Sequence, residues 1–195
     1  MKTSPAAIAS LEEVLKHIAP EGVDDPKLPP VHDWHPKVTS DIDMEIRADG
    51  SWWHEGTRFK RERLVKLFAR ILRKDPDGQI YLVTPYEKVI VHVEDAPFLA
   101  VRVDQAEAEG ENQVLVFRTN LGQPVVAGPD HPLRVTFDAQ TDEPAPYIEV
   151  RHGLEAKLTR PVYYELASLA VEDPDTPGWM GVWSRGAFFP IGRAE

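Results

Sequence analysis

Between Ile42 and Val93 the spacing of apolar residues shifts from alternation to the helical period and back to short apolar runs. That sequence of periods confines the stretch to a sheet with one helix packed against it. Ile42, Met44 and Ile46 alternate with Asp41, Asp43, Glu45 and Arg47, as in a half-buried strand. Asp49-Gly50 supplies a turn and Trp52 opens a second, aromatic-rich run, so the two form a β-hairpin. From Arg61 onward, Leu64, Val65, Leu67, Phe68, Ile71 and Leu72 recur at helical spacing, with Arg63, Lys66, Arg70 and Arg73 between them. This predicts an amphipathic helix that runs to the turn at Asp75-Pro76-Asp77-Gly78. Two further strands follow, Ile80 to Val83 and Val89 to Val93, on either side of Thr84-Pro85.

A chain of 195 residues can bury a substantial core as one domain or two small ones. Its formal net charge of -10 disfavours nucleic acid as the main partner, because phosphate backbones are held by lysine and arginine. The absence of cysteine excludes disulfides, thiolate nucleophiles and cysteine-based metal sites. Glu12, Glu13 and Lys16 interrupt the apolar residues near the N-terminus, so no secretory leader is expected, and no run is long enough to span a bilayer. Residence in the cytoplasm is the resulting expectation.

Before the central stretch, Leu11, Val14, Leu15 and Ile18 share a helical face that Pro20 ends, and the prolines at 20, 26, 29, 30 and 36 make an extended connection. After it, Phe98 to Val103, Val114 to Phe117 and Leu133 to Phe137 read as strands, and Thr141 to Pro146 as a boundary rich in acid and proline. Ile148 to Arg151, a turn at His152-Gly153, and Leu154 to Leu158 make another hairpin. A helix then begins at Arg160-Pro161, and Trp179 to Ile191 supplies closing strands. Laid over the first unit, Ile46 matches Val150, Phe59 matches Leu158 and Arg61 matches Arg160. Leu64-Val65 match Tyr163-Tyr164, and Leu67 matches Leu166. The pattern is that of an internal structural duplication, or of chance similarity between two hairpin–helix units. The expected class is α+β, with two similar units, each a β-hairpin, an amphipathic helix and further antiparallel strands. The divisions are 1–36 for the N-terminal helix and proline-rich connection, 37–97 for the first unit and 98–195 for the second.

The strings DMEIRADGSWWHEG, RERLVKLFARIL and YLVTPYEKVIVHVEDAPF resemble the uncharacterised bacterial family called Domain of Unknown Function 1285, DUF1285. The resemblance covers most of the chain. It implies two similar α/β units side by side and a bacterial origin, and it transfers no catalytic residue. A signalling or ligand-sensing role is the expectation attached to it.

Three clusters could carry chemistry. His32, Asp33, Trp34 and His35, with His54 later, offer imidazoles and carboxylates of the kind zinc takes, in a spacing that also suits a solvated loop anchored by Trp34. Trp53, His54, Arg58 and Arg61, with Lys60, lie between hairpin and helix, where arginines near free backbone N–H groups attract anions. Glu55 and Glu62 could neutralise those cations instead. Thr84, Tyr86, Glu87 and Lys88 form the third cluster, an acid–base pair or an exposed turn.

No Walker loop, dinucleotide fingerprint or nucleophile elbow is present, and nothing points to a cofactor or a metal. The favoured expectation is a non-enzymatic ligand-binding or regulatory module. Its cleft would lie where Trp53, His54, Arg58 and Arg61 converge with Thr84, Tyr86 and Lys88, and its partner would be a small anionic ligand or a protein. The alternatives are an enzyme acting on a small acidic or phosphorylated metabolite, with Arg58 and Arg61 holding the anion and His54 or Glu87 moving protons, and a protein-interaction scaffold.

Overall fold

The computed structural model describes residues 13–14, 27–106 and 110–193. The helix expected around Leu11 to Ile18 lies outside them, apart from Glu13 and Val14. The chain divides into two compact units, Met1–Asp95 and Ala96–Glu195.

In unit 1 the alternating residues form β1 (Val38–Ile46), and the hairpin continues through β2 (Trp52–His54) and β3 (Thr57–Arg58). Helix α1 (Glu62–Arg70) follows, then β4 (Leu72–Lys74), β5 (Ile80–Val83) and β6 (Glu87–Val93). The strands make one sheet in the order β3-β2-β1-β6-β5-β4. Neighbours are antiparallel except at the centre, where β1 and β6 run parallel, with Met44 opposite Val91 and Ile46 opposite Val93. The sheet is therefore mixed, where further antiparallel strands were expected. Alternation shows which face a residue takes but carries no record of strand direction.

The helix is shorter than its periodicity suggests. It stops at Arg70, and the Ile71 N–H closes the last turn onto Phe68 and Ala69. Leu72 to Lys74 then pair with Leu82 to Ile80 across the Asp-Pro-Asp-Gly turn. Ile71 and Leu72 are fully buried, and cross-strand pairing satisfies their backbone as well as another helical turn would. Leu64, Val65 and Phe68 of α1 are buried, and the Phe68 ring stacks on Trp52 at 6.3 Å and meets Phe59 edge-on at 5.7 Å.

Unit 2 begins with β7 (Phe98–Ala106), β8 (Val114–Thr119) and β9 (Pro124–Val126), followed by β10 (Leu133–Phe137), β11 (Pro144–Arg151) and β12 (Leu154–Leu158). Helix α2 (Arg160–Ser168) leads to β13 (Val171–Glu172), β14 (Trp179–Ser184) and β15 (Ala187–Arg193). No boundary falls at Thr141 to Pro146, because Pro144 to Pro146 pair with Phe137 to Val135 inside the sheet. The last three strands form a separate small sheet. Gly181 permits its tight packing, since a Cβ there would sit 2.5 Å from the Phe189 carbonyl and the Phe188 ring. Ser184, fully buried, ties it to the larger sheet by donating to the Ala127 carbonyl at 2.8 Å and accepting from the Leu115 N–H at 3.0 Å.

The six-stranded sheet of unit 2 reads β9-β8-β7-β12-β11-β10, which is the order of unit 1 with six added to each strand. Its central pair, β7 with β12, is again parallel. The two sheets are thus alike, but not in the register expected from the hairpin–helix strings. The counterpart of β1 is β7, not β11. Helix α1 lies between the two halves of its sheet, whereas α2 follows the last strand of its own. Matching Ile46 with Val150 set a first strand against a fifth.

Phe68 has no exposed surface. Phe68→Ala is expected to cost about 3–5 kcal/mol in urea unfolding, from lost transfer energy and the cavity left between Trp52 and Phe59. The half-buried Leu67, changed to alanine, should cost clearly less; equal losses would show that α1 does not present Phe68 to the core.

Candidate functional site

At the hairpin end of the unit 1 sheet, the Trp53 indole N–H donates to the Ser51 hydroxyl at 2.7 Å, and the Arg47 guanidinium lies 3.7 Å from the Trp53 ring centre. Arg47 also donates to Glu45 at 3.3 Å. Asp49 accepts from both the hydroxyl and the amide of Ser51. Those bonds, with the nearby charges of Arg58 and Arg47, hold its carboxyl below the usual range. Arg58 pairs in register with Trp53 and is exposed. Arg61 is the residue before the first turn of α1 and has extended backbone. Glu62 pairs with Lys66 at 2.7 Å, one turn along the helix. His54 is half-buried beside Phe59, and its Nε2 is buried without a hydrogen-bond partner.

The Thr84 to Lys88 bend is built differently. Thr84 is buried, and its hydroxyl donates to the Glu87 carbonyl while accepting from the amides of Tyr86 and Glu87 at 3.0–3.3 Å. Tyr86 projects from the bend and is 72% exposed. Lys88 turns inward: its ammonium lies 4.0 Å from the Tyr81 ring centre and donates to Asp75 at 2.8 Å. Asp75 also accepts from Arg73 at 2.6 and 3.3 Å, and both side chains are only 11% exposed. Arg73 donates onward to the carbonyls of Val31 at 2.6 Å and Trp34 at 2.8 Å. The proline-rich connection is therefore fastened to the sheet through one charged network. Lys88, one of the expected site residues, is part of that fastening.

The two groups are not one constellation. His54 pairs with Met44, and Met44 with Val91, whereas Glu87 pairs with Val38. His54 and Glu87 are two strands apart and four residues apart along β6. Trp53 and Arg58 stay together, and Thr84, Tyr86 and Lys88 lie toward the opposite end of the sheet. Among the described residues, no group of three or more His, Asp or Glu is placed to hold a metal ion.

An open groove of about 780 Å³ lies at the hairpin end, where β1 and β6 finish and the β4–β5 turn comes alongside. Half-buried Ile80 and Val93 give it its apolar surface, and Glu45, Arg47, Lys74, His92, Glu94 and Asp95 are its charged and titratable residues. Glu94 accepts from the Ala48 amide at 2.8 Å, and His92 pairs with Asp41 at 3.0 Å. Lys74, by contrast, is exposed and has no acidic or aromatic partner among the described residues. Lys74 and His92 did not stand out in the sequence, because only the parallel pairing of β1 with β6 brings these strand ends together. Their one available signal was the run of charges closing each apolar stretch.

Because opposing effects meet on Asp75, its titration can be signed. Burial raises its pKa, but the hydrogen bonds and charges of Arg73 and Lys88 outweigh that and hold it below the usual range. The unfolded chain then binds more protons on acidification. The stabilisation is complete above the ordinary aspartate value of about 3.9 and is lost as pH falls through the lower folded value. Asp75→Asn should be less stable than the parent by about 2 kcal/mol at pH 7, a figure reduced from fully buried pairs because Lys88 is partly exposed. The gap should narrow as the pH is lowered below 4. A gap independent of pH would remove Asp75 from the network.

Two family models match the chain: the N-terminal domain of DUF1285, a domain of unknown function, over residues 29–96, and the DUF1285 C-terminal domain, a protein of unknown function, over residues 97–191. The crystal structure of a DUF1285 family protein from Silicibacter pomeroyi DSS-3 is similar at 44% identity and a TM-score of 0.80, over 89% of this chain and 92% of that one. A second DUF1285 family protein, from Shewanella baltica OS155, is similar at 30% identity and a TM-score of 0.51, over 66% of this chain and 92% of its own. Among curated proteins, no relative matches.

Proposed function

From the premise that this chain belongs to the DUF1285 family, we propose that it is a cytoplasmic, non-enzymatic regulatory module, binding a small ligand with an anionic group in the groove of unit 1. The observation that carries the reading is the pairing of an apolar surface with one uncommitted cation. Of the lining cations, Arg47 is occupied by Glu45 and Trp53, and His92 by Asp41, which leaves Lys74 to meet a ligand's charge. Ile80 and Val93 would cover the ligand's apolar body, the usual division of labour in small-molecule sites.

Binding rather than turnover is supported by the chemistry of the lining. Its described residues include no serine, threonine, cysteine or tyrosine. The His92–Asp41 pair is half-exposed on both sides, and solvent screening limits how far such a pair can be tuned for proton transfer. A regulatory or signalling role follows from this reading as the use of a ligand that is bound and not consumed. In the same reading the two units descend from one duplicated ancestor, supported by their common strand order and central parallel pair.

The test is calorimetric titration of the full chain with inorganic phosphate, short dicarboxylates and aromatic carboxylates. At least one class should bind, and Lys74→Ala should weaken it by about tenfold, as expected for loss of a charge-assisted hydrogen bond. Lys74 is exposed, so the variant's melting temperature should match the parent's. Absence of binding in every class, or binding indifferent to Lys74→Ala, would sink the assignment.

A further inference from the structure

Unit 2 carries a second recessed face, independent of the groove in unit 1. Two cavities of about 490 and 540 Å³ adjoin where the β10–β11 turn, the start of α2 and the ends of β14 and β15 come together. Pro144 and Tyr163 line both and divide them. One cavity is walled by Phe137 and Trp179, which meet edge-on at 6.4 Å, and the other by Pro146, Leu158 and Tyr164.

The polar groups on this face fall into two sets. The Tyr163 hydroxyl is spent on the Ile191 carbonyl at 2.8 Å, Arg160 is paired with Glu143, the Arg193 guanidinium lies 5.4 Å from the Trp179 ring centre, and the Lys157 ammonium lies 5.9 Å from the Tyr147 ring centre. The Trp179 indole N–H and the Tyr164 hydroxyl, in contrast, have no hydrogen-bond partner among the described residues, and Tyr164 is 67% exposed. Asp142 is likewise exposed and unpaired among the described residues. Asp138 lines the same face as a second carboxylate, accepting from the Gln140 and Thr141 amides. The free chemistry here is therefore aromatic surface, hydrogen-bond donors and negative charge.

An occupant that fits must bring flat apolar groups, unpaired acceptors and a positive charge. A polyproline II helix does so. Its carbonyls have no internal partner, and with about three residues per turn and about 3.1 Å rise, prolines on one side recur every ~9 Å, one for each of two adjoining pockets. Such helices dock in aromatic-lined grooves at low entropic cost because they are already extended. We propose that this face binds a proline-rich peptide in the polyproline II conformation, with an arginine or lysine beside the prolines to meet Asp142. Charge complementarity chooses this occupant over a small anion, because the cations on the face are committed and the formal charge of the chain is -10.

The probe is a fluorescein-labelled decaproline with a terminal arginine, titrated with the full chain and read by fluorescence anisotropy, beside a glycine–serine peptide of equal length and charge. Saturable binding of the proline peptide is expected, with little binding of the control. Tyr164→Ala and Trp179→Ala should each weaken it by about tenfold, as for aromatic anchors at interfaces. Tyr164 is exposed enough that its variant should melt with the parent, which keeps the test interpretable if Trp179→Ala unfolds. Asp142→Asn should abolish the preference for the arginine-terminated peptide over an alanine-terminated one. Equal binding of the two peptide types, no saturable binding, or affinity unchanged in Tyr164→Ala would overturn the proposal. So would sedimentation showing a dimer that Tyr164→Ala dissociates, since the face would then belong to a second copy.

Discussion

The parallel pairing of β1 with β6 is the contact on which unit 1 depends. Each flanking half of the sheet is a local meander, β1-β2-β3 on one side and β4-β5-β6 on the other, and neither covers a face large enough to stand alone. Joining the first strand to the last brings Met44, Ile46, Val89 and Val91 into adjacent strands, and all four are almost or wholly without exposed surface. The same contact brings two strand ends together and so makes the groove. Core and candidate site are therefore two results of one register.

Charge serves a different purpose in each part of unit 1. Around Asp75 it is structural: Arg73, Lys88 and two backbone carbonyls converge on or around one carboxylate and hold the segment from Val31 to Trp34 against the sheet. A network of this kind rigidifies because each member is satisfied, and its removal leaves partners stranded. Around Lys74 the charge is unmatched and open to water. This difference in satisfaction, rather than in residue type, separates the lysine that holds the fold from the lysine assigned to a ligand.

Much of the fold was legible in the sequence where local pattern decides it. Ile42-Met44-Ile46 announced a half-buried strand, Leu64-Val65-Phe68 a helix face, and His152-Gly153 a tight turn whose two residues both take positive φ. The end of α1 was not legible, because Ile71 and Leu72 fit a fourth helical turn as well as a strand. Which strands neighbour which was hidden altogether, since alternation in β1 is the same whether β6 or β2 lies beside it. The likeness of the two units was read at the wrong register for that reason: hairpin–helix strings look alike locally, while the two sheets are alike in the order of their strands. Of the expected site residues, Trp53 and Arg58 pair in register. The tie between Lys88 and Asp75 was not legible, because Asp75 is thirteen residues earlier and reaches it only across the folded sheet.

Each six-stranded sheet joins its own first and last strands, β1 with β6 and β7 with β12. This arrangement has a consequence for biosynthesis. Contacts that span a whole unit carry a high loop-closure cost and fold slowly. During synthesis β1 must wait, its central edge unpaired, until Glu87–Val93 has left the ribosome, and β7 must wait likewise for Leu154–Leu158. Exposed strand edges are templates for wrong pairing. Because all six strands of unit 1 precede the first of unit 2, the earlier edge can be closed before the later one is made, so ordering along the chain limits how many unpaired edges the nascent protein shows at once.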